Sequence, residues 1–454
     1  MKILLIVHDV YQNDNTFPLG IGYLSSIMKN AGHDVDIYCM DVYHYSNEQL
    51  AYFLKRRNYD MIGLSFMAAR FKETIIDLCK VINKHKKRAL LVLGGHGPSP
   101  IPEYMLDKVN ADIVVVGEAE NVILHVLDDM STGNYKNIYK SKPIRDLDKL
   151  PFPNWDNFPM DIYSSCIKLP GMSNKDKALN IISSRGCTNA CTFCYRMEKG
   201  IRLRKVPKIV EEIKELNKRY GINYIEFADE CFILNKKRLE SFYCELQDNN
   251  LDIKYLSAVR AEFADEDTLD LLKKSGCKFI NYGFESMNSV VLKEMKKNTT
   301  PEQNETAAKL TKSKGIPFGL NFIWGYPSDT IETLNESKEF IKKYNDYTEL
   351  RTIRPVTPYP GCELYYEAMS KRLLDGPDDF FNRFDNSDLI TINFTEMETE
   401  DMYDMLYDVN KELIMDHMKH SNMNRLESTS IINNFYNLYF CGQKKFRGAR
   451  HYEK

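Results

Sequence analysis

The sequence predicts an α/β protein with two domains and a small, mainly helical C-terminal segment. Over two separate stretches, short apolar runs rich in β-branched residues alternate with segments of helical period, a pattern typical of parallel sheets covered by helices. A proline-containing stretch divides the two. The first domain is therefore predicted to be doubly wound and Rossmann-like, and the second to be a partial (β/α)6 barrel of the TIM type.

The first domain is expected over residues 1–135. Its predicted strands are Ile3–Val7, Val35–Tyr38, Met61–Ser65, Leu90–Leu93 and Asp112–Val116, and its predicted helices are Gly20–Asn30, Asn47–Lys55, Phe71–Lys84 and Glu118–Asp129. A ligand of such a domain lies beyond the carboxyl ends of the strands. This sequence places Gly94-Gly95-His96-Gly97-Pro98 and Gly117-Glu118 there.

A linker is expected over residues 136–176, where prolines interrupt polar sequence. The barrel is expected over 177–371, with its active site at the carboxyl ends of the strands. Its predicted strands are Ala178–Ser183, Tyr224–Phe227, Tyr255–Val259, Phe279–Phe284, Pro317–Ile323 and Arg351–Val356. Residues 372–454 are expected to form a helical cap that contains one helix, Thr399–His417, and ends in a basic tail, Lys444–Arg450.

Composition narrows the class of protein. The chain has 454 residues, 43% of them hydrophobic and 28% charged, which is typical of a globular protein. A net charge of −3 without a broad basic face argues against nucleic acid as a partner. No apolar run approaches the roughly 20 residues that span a bilayer, and no signal peptide precedes the first strand, so we expect a cytoplasmic protein without a membrane span.

Three of the eleven cysteines form a cluster. Cys187, Cys191 and Cys194 follow the first barrel strand in a C-x3-C-x2-C arrangement. Three thiolates can bind three irons of a [4Fe–4S] cluster and leave the fourth iron open to an external ligand. The alternatives are a structural zinc site, which needs a fourth ligand, and three unconnected thiols. No histidine lies between His125 and His417, which disfavours zinc.

These cysteines, with Phe193 before the third, resemble the signature loop of the radical S-adenosylmethionine (SAM) superfamily. The resemblance implies that Cys187, Cys191 and Cys194 hold a [4Fe–4S] cluster and that SAM binds the open iron. The matches cover most of residues 178–370 and imply SAM contacts at Phe193, Asp229, Glu230, Arg260, Gly283, Glu285, Ser286, Ile323 and Gly325. Taken singly, the charged residues among these could instead cap strand ends or form surface ion pairs. No catalytic residue is assigned.

The first domain resembles the cobalamin-binding domain fused ahead of many radical SAM enzymes. The resemblance rests on Phe17–Leu24, Ala31–Val35, Gly94–His96 and Ala111–Glu118. It implies cobalamin contacts at Pro18, Leu19, Gly20, Ser65, Gly94, Gly95, His96, Gly117 and Glu118. The alternative is a flavodoxin-like domain without a ligand. Because no D-x-H-x-x-G motif occurs, we predict cobalamin without a histidine as lower ligand, with His8 and His96 as the remaining candidates.

The leading hypothesis is a cobalamin-dependent radical SAM methyltransferase. Such an enzyme methylates an unactivated carbon or a phosphinate of a small molecule through a 5′-deoxyadenosyl radical and methylcobalamin. The resemblance also implies a low-potential electron donor such as flavodoxin or ferredoxin. Alternatives are an oxidative cyclase or ring-rearranging enzyme that moves no methyl group, and a non-catalytic corrinoid- or metal-binding regulator. A methylthiotransferase is disfavoured because the N-terminal half lacks a second cysteine trio.

Overall fold

The computed structural model describes residues 1–10, 16–232 and 235–443. The predicted basic tail Lys444–Arg450 lies outside the described residues. The chain divides into two compact units: Met1–Gly186 with Arg196–Ala228, and Cys187–Tyr195 with Asp229–Lys454.

The first unit contains a six-stranded parallel sheet in the order β2-β1-β3-β4-β5-β6. Its strands are β1 (Lys2–Val7), β2 (Asp34–Cys39), β3 (Met61–Ser65), β4 (Leu90–Gly94), β5 (Ile113–Val116) and β6 (Ile138–Lys140). Its helices are α1 (Leu19–Asn30), α2 (Met40–Tyr43), α3 (Asn47–Arg56), α4 (Ile76–His85), α5 (Pro102–Val109) and α6 (Ile123–Thr132). The strand order reverses between β1 and β3, and a doubly wound sheet binds its ligand at such a point.

The sequence pattern explains most of this sheet. Apolar side chains on both faces of β1, from Ile3 to Ile6, are at most 1% exposed, as expected for a strand covered by helices on both sides. Three elements were not predicted: the short helices α2 and α5, and the strand β6. The helix α5 begins with a proline in its first turn. The segment expected to be a linker contributes β6, which pairs with β5 from Val114↔Ile138 to Val116↔Lys140.

The first unit also contains α7 (Met160–Cys166), β7 (Ala178–Ile181), β8 (Ser184–Cys187), β9 (Gly200–Leu203), α8 (Val206–Tyr220) and β10 (Tyr224–Phe227). Cys187, the last residue of β8, already belongs to the second unit. β7 and β10 pair in parallel, from Ala178↔Tyr224 to Ile181↔Phe227. They are two of the six strands of the barrel sheet. β8 and β9 form a separate two-stranded sheet on either side of the cysteine loop.

The second unit contains the other four barrel strands, paired in parallel in chain order. They are β11 (Lys254–Ala258), β12 (Cys277–Glu285), β13 (Phe318–Trp324) and β14 (Arg354–Pro355). The helices of this unit are α9 (Lys236–Asp248), α10 (Glu266–Lys274), α11 (Ser289–Glu294), α12 (Pro301–Ser313), α13 (Ile331–Tyr344), α14 (Glu363–Ser370), α15 (Pro377–Arg383), α16 (Thr399–His420) and α17 (Arg425–Phe440). The predicted fold class, a Rossmann-like domain, a partial barrel and a helical C-terminal segment, is confirmed.

The C-terminal helices protect the edge of the barrel sheet. The side chain of Asn410 on α16 donates a hydrogen bond to the carbonyl oxygen of Ile353 at 3.0 Å and accepts one from its amide at 2.9 Å. A carboxamide thus replaces the next strand beside β14 and satisfies backbone groups that an open edge would expose. No helix in the described parts of the chain is long and apolar enough to cross a membrane.

Candidate active site

Cys187 ends β8, and Cys191 and Cys194 lie on the loop that follows it and leads to β9. None of the three forms a disulfide; Cys187 and Cys191 are half-buried and Cys194 is exposed. Burial raises the pKa of the Cys191 thiol, and the nearby charge of Lys297 opposes this shift. In the described residues, no three His, Cys, Asp or Glu side chains already converge as metal ligands do. The donor set, three thiols on one loop, nevertheless fits a [4Fe–4S] cluster that keeps one open iron.

Hydrogen bonds from within the second unit hold this loop. The Asn189 carboxamide donates to the carbonyl oxygen of Lys297 at 2.6 Å. The Thr192 amide donates to the carbonyl oxygen of Met295 at 3.0 Å, and its own carbonyl oxygen accepts from the Leu364 amide at 2.9 Å. The Thr192 hydroxyl lies 2.8 Å from the buried hydroxyl of Tyr326. The loop backbone is therefore positioned by neighbouring segments of the barrel.

Glu285 ends β12 with an unusual backbone conformation. Its φ of 65° lies in the left-handed region, which a non-glycine residue rarely adopts, and the register with β13 shifts between Gly283 and Glu285. Strain of this kind occurs most often at functional sites. The Glu285 carboxylate accepts a hydrogen bond from the Lys297 ammonium at 3.0 Å. A Cβ atom on Gly283 would lie 2.3 Å from a Glu285 carboxylate oxygen, so the glycine leaves room for this pair.

Lys297 was not identified from the sequence, although it connects several parts of the site. Burial lowers its pKa, but the charges of Glu285 and Cys191 outweigh burial, so the pKa is raised and the ammonium stays protonated. Its carbonyl oxygen also accepts a hydrogen bond from the Arg260 guanidinium at 3.2 Å. A lysine in a polar run after a helix has no pattern that separates it from surface lysines, so only the tertiary structure reveals it.

The remaining residues predicted to contact SAM lie in the same unit. The Arg260 guanidinium pairs with the Glu262 carboxylate. Asp229 is buried and Glu230 is exposed, both just after β10. Ser286 is buried, and its hydroxyl accepts a hydrogen bond from the Asn288 amide at 3.1 Å. Phe193 and Ile323 are half-buried. The assignment of these side chains to SAM remains a prediction.

Gly325 begins a turn that is held by a buried carboxylate. The amides of Gly325 and Tyr326 both donate to one carboxylate oxygen of Asp329 at 2.9 Å, and the Thr333 hydroxyl donates to the other at 2.7 Å. Burial raises the pKa of Asp329 to about 6, although these hydrogen bonds oppose the shift. The φ of Gly325 is 112°, a conformation that glycine adopts without strain.

The predicted cobalamin crevice lies in the first unit, at the carboxyl ends of β3 and β4. A Cβ atom on Gly95, whose φ is 93°, would lie 2.5 Å from the Ser65 hydroxyl, so this glycine lets the loop after β4 pack against the loop after β3. Gly94 and Gly20 differ: among the described residues, apart from the chain neighbours, no atom lies closer than 3.9 Å to a Cβ atom placed on either. Such open space at a strand end and beside a helix start fits the approach of a large corrinoid.

Other predicted cobalamin contacts have partners within the protein. Leu19 begins α1 and Pro18 is its N-cap residue, whose carbonyl oxygen accepts a hydrogen bond from the Gly22 amide at 3.0 Å. His96 is half-buried. The Gly117 amide donates to the Ser99 hydroxyl at 3.2 Å. Contact with cobalamin remains a prediction for each of them.

Glu118 is buried and paired with two arginines. Arg202 donates to both of its carboxylate oxygens at 2.8 and 2.7 Å, and Arg185 lies 3.3 Å away. Burial alone would raise the pKa of Glu118, but the hydrogen bonds from Arg202 and the Ile144 amide and the charge of Arg185 outweigh it, so the pKa is lowered. Glu118 is thus an ionised carboxylate with protein partners on both oxygens.

His8, immediately after β1, has both ring nitrogens buried without a hydrogen-bond partner among the described residues. Burial, together with the charge of Arg70, lowers its pKa to about 4, so the imidazole is neutral. A ring nitrogen that is shielded in this way cannot reach a cobalt ion unless the side chain moves.

Comparisons with known proteins identify two domain families in this chain. The model of the radical SAM superfamily matches residues 181–341, and the model of the B12 binding domain matches residues 9–127. An uncharacterized methyltransferase of Pyrococcus horikoshii is 30% identical over 379 residues, which cover 79% of this chain and 79% of that protein. An anaerobic magnesium-protoporphyrin IX monomethyl ester cyclase of Rubrivivax gelatinosus is 27% identical over 402 residues, which cover 81% of this chain and 70% of the cyclase.

A solved structure shares the fold. The radical SAM methyltransferase TsrM of Kitasatospora setae, with cobalamin and a [4Fe-4S] cluster bound, gives a TM-score of 0.65 at 16% identity and covers 82% of this chain and 74% of that one. The two matched domains confirm the predicted set of cofactors, a [4Fe–4S] cluster, SAM and cobalamin. This chain belongs to the cobalamin-binding radical SAM enzymes.

Proposed function

We propose that this enzyme is a methyltransferase that transfers a methyl group to an unactivated carbon, or to a phosphinate, of a small molecule. The observation that carries the proposal is the presence of a cobalamin-binding domain and a radical SAM domain in one chain. One cofactor suits hydrogen abstraction and the other suits methyl transfer. The similarity to a methyltransferase over 79% of the chain supports the same reaction class.

In this proposal the cysteine loop holds the cluster through Cys187, Cys191 and Cys194. When bound, the cluster and SAM supply a 5′-deoxyadenosyl radical, and cobalamin supplies the methyl group. Glu285 and Asp229 offer carboxylates to the amino group or ribose of SAM, and Arg260 offers a guanidinium to its carboxylate. The Lys297 ammonium pairs with the Glu285 carboxylate at 3.0 Å and holds it in place. A preorganised set of charges of this kind orients a zwitterionic ligand without reorganisation.

An anaerobic assay tests the reaction class. The reconstituted enzyme is incubated with SAM, cobalamin and a low-potential reductant, and the products are separated by chromatography. We expect both 5′-deoxyadenosine and S-adenosylhomocysteine to form. Formation of 5′-deoxyadenosine without S-adenosylhomocysteine would rule out methyl transfer. Flavodoxin or ferredoxin, as the physiological electron donor, should replace the chemical reductant.

Cysteine variants test the assignment of the cluster. Replacing Cys187, Cys191 and Cys194 by alanine should abolish iron and sulfide binding and the formation of 5′-deoxyadenosine. Cys244→Ala is the matched control, because Cys244 is exposed on α9, outside the cysteine loop. Zinc instead of iron and sulfide in anaerobically purified enzyme would favour a non-catalytic metal-binding regulator.

The second candidate is an oxidative cyclase that uses cobalamin without moving a methyl group. The similarity to the magnesium-protoporphyrin cyclase of Rubrivivax gelatinosus favours this alternative. A cyclase should form 5′-deoxyadenosine and a product that contains no carbon from SAM. Incubation with SAM labelled in its methyl group distinguishes the two, because only a methyltransferase passes the label to the product.

A further inference from the structure

The two faces of the β12–β13 pair carry different kinds of side chain. One face packs against α13: the ring of Phe284 on β12 lies 6.0 Å from that of Phe322 on β13, and both contact Phe340 of α13 at 5.3 and 5.7 Å. Successive side chains on a strand point to opposite faces. The residues that alternate with Phe284 along β12 and with Phe322 along β13 therefore face away from α13. They are Asn281, Gly283 and Glu285 on β12 and Gly319, Asn321 and Ile323 on β13.

This open face carries the predicted SAM contacts Gly283, Glu285 and Ile323, and it also carries two asparagines without an assigned role. The Asn321 carboxamide nitrogen donates to the carboxamide oxygen of Asn281 at 2.7 Å and to the backbone carbonyl of Tyr282 at 2.7 Å. Gly319 makes room for the pair, since a Cβ atom there would lie 2.3 Å from the Asn281 oxygen. We call Asn281 and Asn321 the asparagine pair.

The hydrogen bonds fix which groups of the asparagine pair stay available. The Tyr282 carbonyl can only accept, so the Asn321 nitrogen must face it and the Asn321 oxygen must point away. The Asn281 oxygen is occupied, which leaves its NH2 group as a donor. In the described part of the chain neither the Asn321 oxygen nor the Asn281 nitrogen has a protein partner, and Asn321 is exposed in the middle of its strand.

We propose that the asparagine pair binds the substrate of this enzyme through an amide-type edge, in which a carbonyl oxygen and an N–H group are neighbours. The inference rests on the proposed function. The Asn281 NH2 group donates to the substrate carbonyl, and the Asn321 oxygen accepts from the substrate N–H. Lactams, imides, nucleobases and carboxamides have such an edge. A carboxylate does not fit, because it would place an oxygen against the oxygen of Asn321.

Uracil and 1,3-dimethyluracil are matched probes for this edge. Both have the same ring and carbonyl groups, but only uracil has N–H donors. Binding of each to the SAM-loaded, cluster-containing enzyme is measured by saturation-transfer NMR titration. We expect uracil to bind more tightly than its dimethyl derivative, and Asn281→Leu or Asn321→Leu to weaken uracil by about three- to tenfold, the effect of one neutral hydrogen bond. Dimethyluracil should bind the wild-type enzyme and Asn321→Leu equally, because it has no N–H group to donate to the Asn321 oxygen.

Further measurements make the outcome decisive. Asn335→Leu, on the helix α13 rather than on the open face, is the control and should leave uracil binding unchanged. Equal binding of the two probes by the wild-type enzyme, or an unchanged uracil affinity in both variants, would overturn the proposal. A matching loss of SAM affinity in Asn321→Leu would assign the pair to SAM and overturn it as well. Absence of 5′-deoxyadenosine from the wild-type assay would instead refute the proposed function.

Discussion

Arg202 and Glu118 form a bidentate, nearly buried ion pair, with both guanidinium nitrogens within 2.8 Å of the carboxylate oxygens. The side chains are 17% and 6% exposed. Arg202 lies on β9, the strand that follows the cysteine loop, and Arg185, the second partner of Glu118, lies on β8, which precedes it. One carboxylate after β5 of the cobalamin-binding domain therefore fixes both strands that carry the ends of the loop.

The first prediction is that Glu118→Gln destabilises the protein strongly. Removing one charge leaves Arg185 and Arg202 partly buried without full compensation, and breaking a buried pair typically costs about 3 kcal/mol or more. We expect urea unfolding to show a decrease of this order in the free energy of unfolding. The measurement is made on the metal-free chain, so that loss of the cluster does not contribute.

Asp77→Asn is the control for this prediction. Asp77 pairs with Lys80 on α4, but the two side chains are 68% and 71% exposed, and exposed pairs contribute at most about 1 kcal/mol. If Glu118→Gln keeps its stability and loses only cobalamin, Glu118 is a cofactor contact, as the sequence suggested, and its pairing with the arginines is secondary.

The second prediction concerns the hydroxyl groups of Thr192 and Tyr326, which are 2.8 Å apart and buried. The pair connects the cysteine loop to the turn at Gly325, where SAM is predicted to bind. Thr192→Val and Tyr326→Phe each remove one hydroxyl with little change of shape. Each variant leaves the remaining hydroxyl without its partner and so misplaces the turn. Because a misplaced turn fits the ligand less well, we expect each variant to weaken SAM binding by about three- to tenfold.

The double variant and a conservative variant distinguish coupling from general damage. Thr192→Ser keeps the hydroxyl and should bind SAM as the wild-type enzyme does. Thr192→Val with Tyr326→Phe should be no worse than either single variant, because both remove the same interaction. Losses that add up in the double variant would show that the two hydroxyls act independently. SAM affinity is measured by equilibrium dialysis with the reconstituted enzyme.

The sequence predicted the order of the major elements because their signals are local. Apolar strands such as Ile3–Val7 and Met61–Ser65 differ from their amphipathic neighbours by periodicity alone. β6 was missed, and β14 is shorter than its predicted range Arg351–Val356, for the opposite reason. Only three and two residues long, they become strands through pairing with β5 and β13, and no short segment has a periodicity that identifies it.

The residues of the candidate site also divide into those that a local motif reveals and those that only the tertiary structure reveals. The cysteine loop is a local motif, so the spacing of its three thiols is visible in the sequence alone. The contributions of Lys297 and the asparagine pair depend on register, since Asn321 lies opposite Gly283 and next to the diagonal neighbour Asn281 only after β12 and β13 have paired. Register between distant strands is not encoded in the spacing of residues along one chain segment.

The third prediction is that no histidine coordinates the cobalt ion of bound cobalamin. The D-x-H-x-x-G motif is absent, and both nitrogens of His8 are buried. The electron paramagnetic resonance spectrum of the Co(II) form should therefore lack nitrogen splitting from a protein ligand. His8→Phe and His96→Ala should give the same spectrum as the wild-type enzyme. A spectrum that loses nitrogen splitting in one variant would identify that histidine as a ligand.

The last prediction uses the raised pKa of Asp329. Its pKa is about 6 in the folded chain, against an ordinary value of 3.8, because the carboxyl group is buried. A raised pKa means that folding favours the protonated form, so the stabilisation is complete below about pH 4 and is lost as the pH rises through 6.

Two pKa units correspond to about 3 kcal/mol. We expect the wild-type advantage in unfolding free energy over Asp329→Asn to decrease by about that amount between pH 4 and pH 7, since the amide does not titrate. A difference that stays constant over this range would mean that Asp329 is ionised throughout and held by the amides of Gly325 and Tyr326.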